Sequence, residues 1–206
     1  LGEEGGNTRF AAQMCVSGND PDATYRYYEQ LAWHFDYDKD MLRTYTDGVC
    51  QMEDLLKYLG AKEPFMRPNG SIVTPEYPEY EGGETIVEWF ATEGMYNSSL
   101  WQTIRKNVTD RSDSIDVWLE SPAMRLVQDP QSRIVVGVEI DKKGETVLVR
   151  AKNGVVLSCG GFENNREMLQ DYLGAARLAP LGTLHNNGDG VRMGIEVGAD
   201  LWHMEA

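Results

Sequence analysis

The sequence predicts an α/β fold: a central parallel sheet, a β-hairpin layer and a helical insertion at residues 20–60. Three observations carry that prediction. Apolar residues recur at helical spacing between residues 21 and 59. From about residue 115 the pattern changes to short runs rich in β-branched residues. The continuous apolar run Val155-Val156-Leu157 then leads to Gly160-Gly161, which is how a strand buried on both faces of a parallel sheet reads.

The elements follow in order. Residues 1–19 are glycine-rich and show no clear period. Asp20-Pro21 is an N-cap followed by proline at the first helical position. Tyr25, Tyr28, Ala32 and Phe35 extend that start into a helix over 21–35. A second helix is expected over 39–59, with Met41, Tyr45, Val49, Met52, Leu55, Leu56 and Leu59 on one apolar face and Gly60 as its left-handed cap. Residues 63–83 hold Pro64, Pro68, Pro75 and Pro78 with the breakers Asn69, Gly70, Gly82 and Gly83, a loop or short hairpin. Residues 84–92 and 98–108 read as short helices, and Ile115 to Leu119 as a strand. Met124 to Val127 is another strand. Ile134 to Ile140, the turn Asp141 to Gly144 and the arm Thr146 to Val149 form a hairpin. Asn164 or Asn165 caps a helix through Leu173, and Gly188-Asp189-Gly190 opens one through Val197 that Gly198 ends.

Composition narrows the function. The chain has 206 residues, enough for one domain or at most two small ones. Lys plus Arg is 19 against 33 for Asp plus Glu, a net charge of -14. That field repels phosphate backbones and anionic lipid surfaces, so nucleic acid is excluded as a partner by charge. No apolar run reaches the 18 or so residues of a membrane span. Cys15, Cys50 and Cys159 lack metal or disulfide spacing and read as free, mostly buried thiols. The sequons at Asn69, Asn97 and Asn107 occur at a frequency that chance explains. The start at Leu1 and the end at Ala206 read as those of the central piece of a longer chain.

Three glycine-centred segments carry the chemistry: Gly5-Gly6-Asn7-Thr8, Ser158-Cys159-Gly160-Gly161-Phe162 and Asn187-Gly188-Asp189-Gly190. Each combines missing side chains with backbone N–H groups that can face a ligand. Two fall at strand-to-loop or loop-to-helix junctions, where open α/β sheets bind nucleotides and where a helix start favours negative charge. One such segment alone is an ordinary tight turn; three in one chain point to a nucleotide or flavin. His34 reads as a surface or packing histidine on the first helix, His185 as a loop residue ahead of the alternative that it faces a flavin, and Arg9 as a helix-start ion pair or a contact to a phosphate or a carboxylate substrate. Tyr77 and Tyr80 cover an apolar patch or line a site.

Gly5 to Ala12 resembles the flavin-proximal segment of the fumarate reductase and succinate dehydrogenase flavoprotein superfamily, which includes ketosteroid dehydrogenases and urocanate reductases. Val155 to Asn165 resembles its glycine-rich strand end. Asn187 to Gly194 with Gly198-Ala199-Asp200 resembles its Gly-Asp-Gly segment. Arg125 to Val127 with Val135 to Val138 resembles the strand pair that passes the adenine. Residues 60–114 match only loosely. The resemblance implies a fragment of a Rossmann-like FAD-binding domain, partial over 1–206, with a helical insertion at 20–60, a β-rich part and strand end at 115–162 and a final helix at 190–198. Its GxGxxG unit and capping domain are expected outside the chain.

FAD is the implied cofactor. Gly6, Asn7 and Thr8 would approach the pyrophosphate and the flavin ring, with Ala12 and Gln13 beside the isoalloxazine. Val127 would offer backbone hydrogen bonds to adenine. Gly160 and Gly161 would let the backbone pass close to the cofactor, and Asp189 would bind on the flavin side. Gln13 stands where the family often has glycine, and Ser158-Cys159 replaces Ala-Thr. His203 lies near the expected cap boundary and takes no role. The implied activity is hydride transfer between FAD and an activated C–C or C=C bond of a small molecule such as an enoate or enone, with an electron-donor domain or protein as partner. The alternatives are a non-catalytic scaffold or interaction module and, more weakly, an amine oxidase-like or aspartate oxidase-like flavoprotein.

Overall fold

A computed structural model describes residues 2–32, 34–67, 75–175, 178–202 and 204. Pro68, Asn69, Gly70 and His203 lie outside the described residues. The chain divides into two compact units, one of Thr8–Ile115 and one of Leu1–Asn7 with Asp116–Ala206, here the N-proximal and C-proximal units. The chain passes from the second to the first within helix α1 (Gly6–Phe10).

The N-proximal unit begins with β1 (Met14–Gly18), unanticipated in the glycine-rich start. Helix α2 (Pro21–Leu31) starts where the Asp20 carboxylate accepts the Ala23 N–H at 2.8 Å. It ends four residues before the expected Phe35. The Phe35 N–H turns back to the Ala32 carbonyl, in a stretch of aromatic residues that propagate a helix poorly. His34 therefore lies past the helix, and the buried face is Ala23, Thr24 and Tyr27 instead of Tyr25, Tyr28 and Phe35.

The single helix expected over 39–59 is two: α3 (Lys39–Val49), capped by Asp38, and α4 (Met52–Tyr58). The Gln51 N–H bonds to the Gly48 carbonyl, and this tight turn separates them. The expected apolar stripe does not survive the break: Met41, Tyr45 and Leu55 are exposed, while Leu56 is fully buried with Ala61 and Ala91. Gly60 caps α4 as expected, at φ 98°, and the Ala61 N–H reaches the Leu56 carbonyl at 2.9 Å.

Strand β2 (Phe65–Arg67) follows, then β3 (Ile86–Phe90). The helix predicted over 84–92 is thus a strand, the centre of an antiparallel sheet ordered β1-β3-β2. Ile86, Val87 and Phe90 are at most 2% exposed. Their β-branched and aromatic side chains suit a strand buried on both faces better than a helix. The buried Glu88 carboxylate meets the Arg67 guanidinium of the neighbouring strand at 3.2 Å, and that guanidinium lies 5.0 Å from the Phe90 ring centre. Helix α5 (Ser99–Thr109) closes the unit.

In the C-proximal unit, β4 (Ala123–Gln128), β5 (Val135–Lys142) and β6 (Glu145–Arg150) form an antiparallel sheet in that order. Lys143 and Gly144 both have positive φ, the conformation of a two-residue hairpin turn. Helices α6 (Arg166–Leu173) and α7 (Asp189–Glu196) follow. The Gln128 amide donates to the Val197 carbonyl at 3.1 Å, which fastens β4 to the end of α7.

The mixed helix-and-sheet class holds, but the parallel sheet is corrected: both sheets are antiparallel. Ile115 to Leu119 and Val155 to Leu157 join no ladder, and Val156 is 88% exposed. An apolar run encodes burial, while a parallel pairing also needs a neighbouring strand reached by a crossover. Among the described residues no strand pairs with either run. The thiols are free, but Cys15 and Cys50 are only half-buried and Cys159 is exposed.

Phe90→Ala removes a fully buried ring from the central strand. A loss of about 3–5 kcal/mol is expected from urea unfolding of the protein. A loss below about 1 kcal/mol would contradict this account of the core.

Candidate functional site

The C-proximal unit joins the glycine-centred segments through backbone and asparagine hydrogen bonds. The Gly188 N–H donates to the Gly161 carbonyl at 3.0 Å, and the Asn164 N–H to the Asn186 carbonyl at 3.0 Å. Residues 161–164 and 186–188 thus run antiparallel. Side chains complete the zip: Asn164 Nδ2 donates to the Thr183 carbonyl, Asn165 Nδ2 to the Asn187 carbonyl, each at 3.0 Å, and Asn186 Nδ2 to Glu163 Oε1 at 2.5 Å. Asn165 also caps α6, its Oδ1 accepting the Met168 N–H at 3.2 Å.

The glycines are favoured by left-handed backbone and by close neighbours. A Cβ on Gly160, at φ 77°, would stand 2.3 Å from Asn186 Oδ1. One on Gly188, at φ 81°, would stand 2.2 Å from the Met168 sulfur. The first turn of α7 passes so close to the Ser158-Cys159 backbone that a Cβ on Gly190 would lie 3.3 Å from that of Cys159. The Gly-Gly and Gly-Asp-Gly segments, read separately in the sequence, therefore touch.

Asn7 brings in the remaining segment. Its Oδ1 accepts the Thr183 N–H at 2.7 Å. Gly182, at φ 110°, permits this because a Cβ there would lie 2.3 Å from the same oxygen. Gly182, Thr183, Glu163 and Asn186 carry no functional signal of their own in the sequence. The turn signal of Pro180-Leu181-Gly182 was present, but the pairing of Thr183 with Asn7, 176 residues away, was not legible.

No side chain caps α7, and Gly188 is its left-handed N-cap. The half-exposed Asp189 carboxylate pairs with Arg192 one turn on. Val127 lines an apolar hollow of about 360 Å³ with Val136, Gly137, Leu148, Val149 and Arg150.

Thr8, Ala12 and Gln13 lie in the N-proximal unit. Thr8 is exposed and Ala12 half-buried, whereas Gln13 is 2% exposed at φ 66°. That positive φ explains why glycine suits the position. Gln13 keeps its side chain inside, where the amide is fully engaged. Arg9 lies over the Phe10 and Trp101 rings at 5.6 and 5.4 Å.

Tyr77 and Tyr80 stack at 5.7 Å, and the Tyr27 hydroxyl accepts the Tyr77 N–H at 3.3 Å. Tyr27 and Tyr28 line a 230 Å³ hollow with Val16, Leu31, Pro75, Glu76 and Ile86. Burial, with the Tyr45 hydrogen bond, pushes the Tyr28 phenol well above its ordinary range, so it is neutral at physiological pH. His185 is an exposed loop residue whose N–H donates to Thr183 Oγ1. No helix among the described residues is long and apolar enough to cross a membrane.

Residues 10–206 match the family described as FAD binding domain. A segment of 59 residues is 42% identical to a 3-oxosteroid 1-dehydrogenase of Comamonas testosteroni, covering 29% of this chain and 10% of that protein. A segment of 111 residues is 33% identical to fumarate reductase 1 of Saccharomyces cerevisiae, covering 52% of this chain and 23% of that protein. The fold matches the 3-ketosteroid-Δ4-(5α)-dehydrogenase of Rhodococcus jostii RHA1 with a TM-score of 0.77 at 20% identity, over 99% of this chain and 48% of that one. The chain thus spans less than half the length of these relatives.

Gly160→Ala forces a left-handed non-glycine residue and displaces Asn186. The backbone effect alone costs about 1–2 kcal/mol, so thermal unfolding should begin at lower temperature; an unchanged midpoint would contradict the close approach. Alkylation gives a second check. Burial raises the Cys15 pKa, so fewer thiolates form there near pH 8, and exposed Cys159 should react first and Cys15 last. Equal rates at the two sites would refute that ordering.

Proposed function

The chain belongs to the FAD binding domain family, and on that premise we propose that it is the cofactor-holding part of a flavoprotein oxidoreductase acting on an activated carbon–carbon bond. The observation that carries the reading is the zip that sets Gly160-Gly161 against the uncapped start of α7 and ties Asn7 to the same loop.

The residues present fit a dinucleotide. Gly6, at φ 47°, has no atom within 4 Å of where a Cβ would stand, so its backbone is open to close approach. The first turn of α7 offers N–H groups, without a side-chain cap, to phosphate oxygens. The hollow at Val127 is apolar and large enough for a purine. Bound FAD supplies the hydride chemistry, while the protein supplies position and electrostatics.

In this reading Gly6, Asn7 and Thr8 line the pyrophosphate and flavin ring, and Ala12 and Gln13 border the isoalloxazine. Val127 takes the adenine, Gly160 and Gly161 allow close backbone passage, and Asp189 lies on the flavin side. The Asn7 side chain is committed to Thr183, so Asn7 acts through its backbone and by fixing the loop. The related names, a 3-oxosteroid dehydrogenase and a fumarate reductase, both involve a bond beside a carbonyl or carboxylate. A small enone or enoate is therefore the substrate class proposed.

The test is the full-length protein, purified and examined for flavin absorbance. Flavin should co-elute with it, and Asn7→Ala should weaken FAD binding by about tenfold, close to 1.4 kcal/mol. Gly161→Val should weaken it further, because a branched side chain there would fill the close backbone passage proposed for the cofactor. Wild-type protein that takes up no FAD would overturn the proposal.

A further inference from the structure

Gln13 is the least expected residue of the flavin-proximal segment. Its backbone is left-handed, at φ 66°, a region that non-glycine residues seldom adopt. Its side chain is buried, at 2% exposure. The amide makes three hydrogen bonds: Nε2 donates to the Thr8 carbonyl at 2.7 Å and to the Ala11 carbonyl at 2.9 Å, and Oε1 accepts the Trp101 N–H at 3.1 Å. The amide orientation follows from these partners, because two carbonyls can only accept and a peptide N–H can only donate. Both Nε2 hydrogens are committed.

The same segment is fastened to the start of α5 twice more. Ser98 Oγ donates to the Arg9 carbonyl at 2.8 Å, and the Arg9 guanidinium lies over the Trp101 ring. Six non-glycine residues among those described have positive φ, and three of them, Gln13, Tyr96 and Ser98, fall in this segment and the loop before α5. Backbone held in such conformations persists where its surroundings fix it, and it marks positions where geometry matters to function.

We infer that Gln13 is a positioning residue for the cofactor, an inference that rests on the reading of residues 6–13 as flavin-proximal. In a trans peptide the N–H points opposite to the carbonyl of the same plane. With the Ala11 carbonyl drawn onto the Gln13 amide, the Ala12 N–H is presented on the opposite side. The amide thereby sets the direction of a backbone donor at the residue assigned to the flavin edge. A donor held in place at the flavin stabilises negative charge that builds there on reduction, so Gln13 acts on both affinity and reduction potential through Ala12.

The test uses the full-length protein with Gln13→Gly and Gln13→Asn. Glycine relaxes the positive φ and lacks the amide. Asparagine tolerates the positive φ and keeps an amide, but one methylene too short to span Thr8, Ala11 and Trp101. Apoprotein titrated with FAD should show at least about a tenfold rise in dissociation constant for both variants, the loss expected for a buried hydrogen-bonded pair. At saturating FAD, the visible spectrum and reduction potential of the flavin should also shift, a readout that a purely structural role would leave alone. Binding within about twofold of wild type, with unchanged spectrum and potential, overturns the inference even if the melting temperature falls. If Gln13→Gly does not fold, Gln13→Asn decides by the same criteria. Wild-type protein that takes up no FAD overturns the proposed function instead, so the two failures are distinct.

Discussion

The bond from the Gly188 N–H to the Gly161 carbonyl joins the Gly-Gly segment to the start of a helix, and most of the candidate site follows from it. Once those backbones are 3.0 Å apart, the flanking positions have little room. Gly160 and Gly188 hold a left-handed backbone that favours glycine, and Asn164, Asn165 and Asn186 bond carbonyls and a carboxylate across the close approach. Asparagine suits this work because its short amide donates and accepts at once. The uncapped first turn of α7 is then held beside the Gly-Gly segment.

The two units reach fixed backbone geometry by opposite means. In the C-proximal unit, absent side chains let backbones meet directly. In the N-proximal unit, one buried side chain does the joining: the Gln13 amide gathers two carbonyls and a helix-start N–H around itself. Glycine would adopt the same left-handed backbone without strain but would forgo all three bonds, and those bonds offset the strain that glutamine carries there. The sheet of this unit is anchored differently again, by Phe90 and the Arg67–Glu88 pair between β2 and β3.

Local signals were legible wherever one residue decides the backbone. Asp20-Pro21, Asn165 and Gly60 mark helix ends at the positions where the structure has them, because capping is settled within a few residues. The hairpin at Lys143-Gly144 is local for the same reason. Local pattern misleads where neighbours decide. Ile86 to Phe90 carries a short mixed pattern, and its strand state comes from β1 and β2 on either side. Val155 to Leu157 reads as a strand but has no paired neighbour among the described residues.

The sequence by itself determined the family, the FAD assignment and the three glycine-centred segments, because these reside in residue identity and order. Only the tertiary structure decided that Asn7 meets Thr183, that the Gly-Gly segment zips to the loop before Gly-Asp-Gly, and that Gln13 turns inward. Such contacts join residues far apart in the chain. Their partners are selected by packing and by hydrogen bonding between distant segments, which no local window of sequence contains.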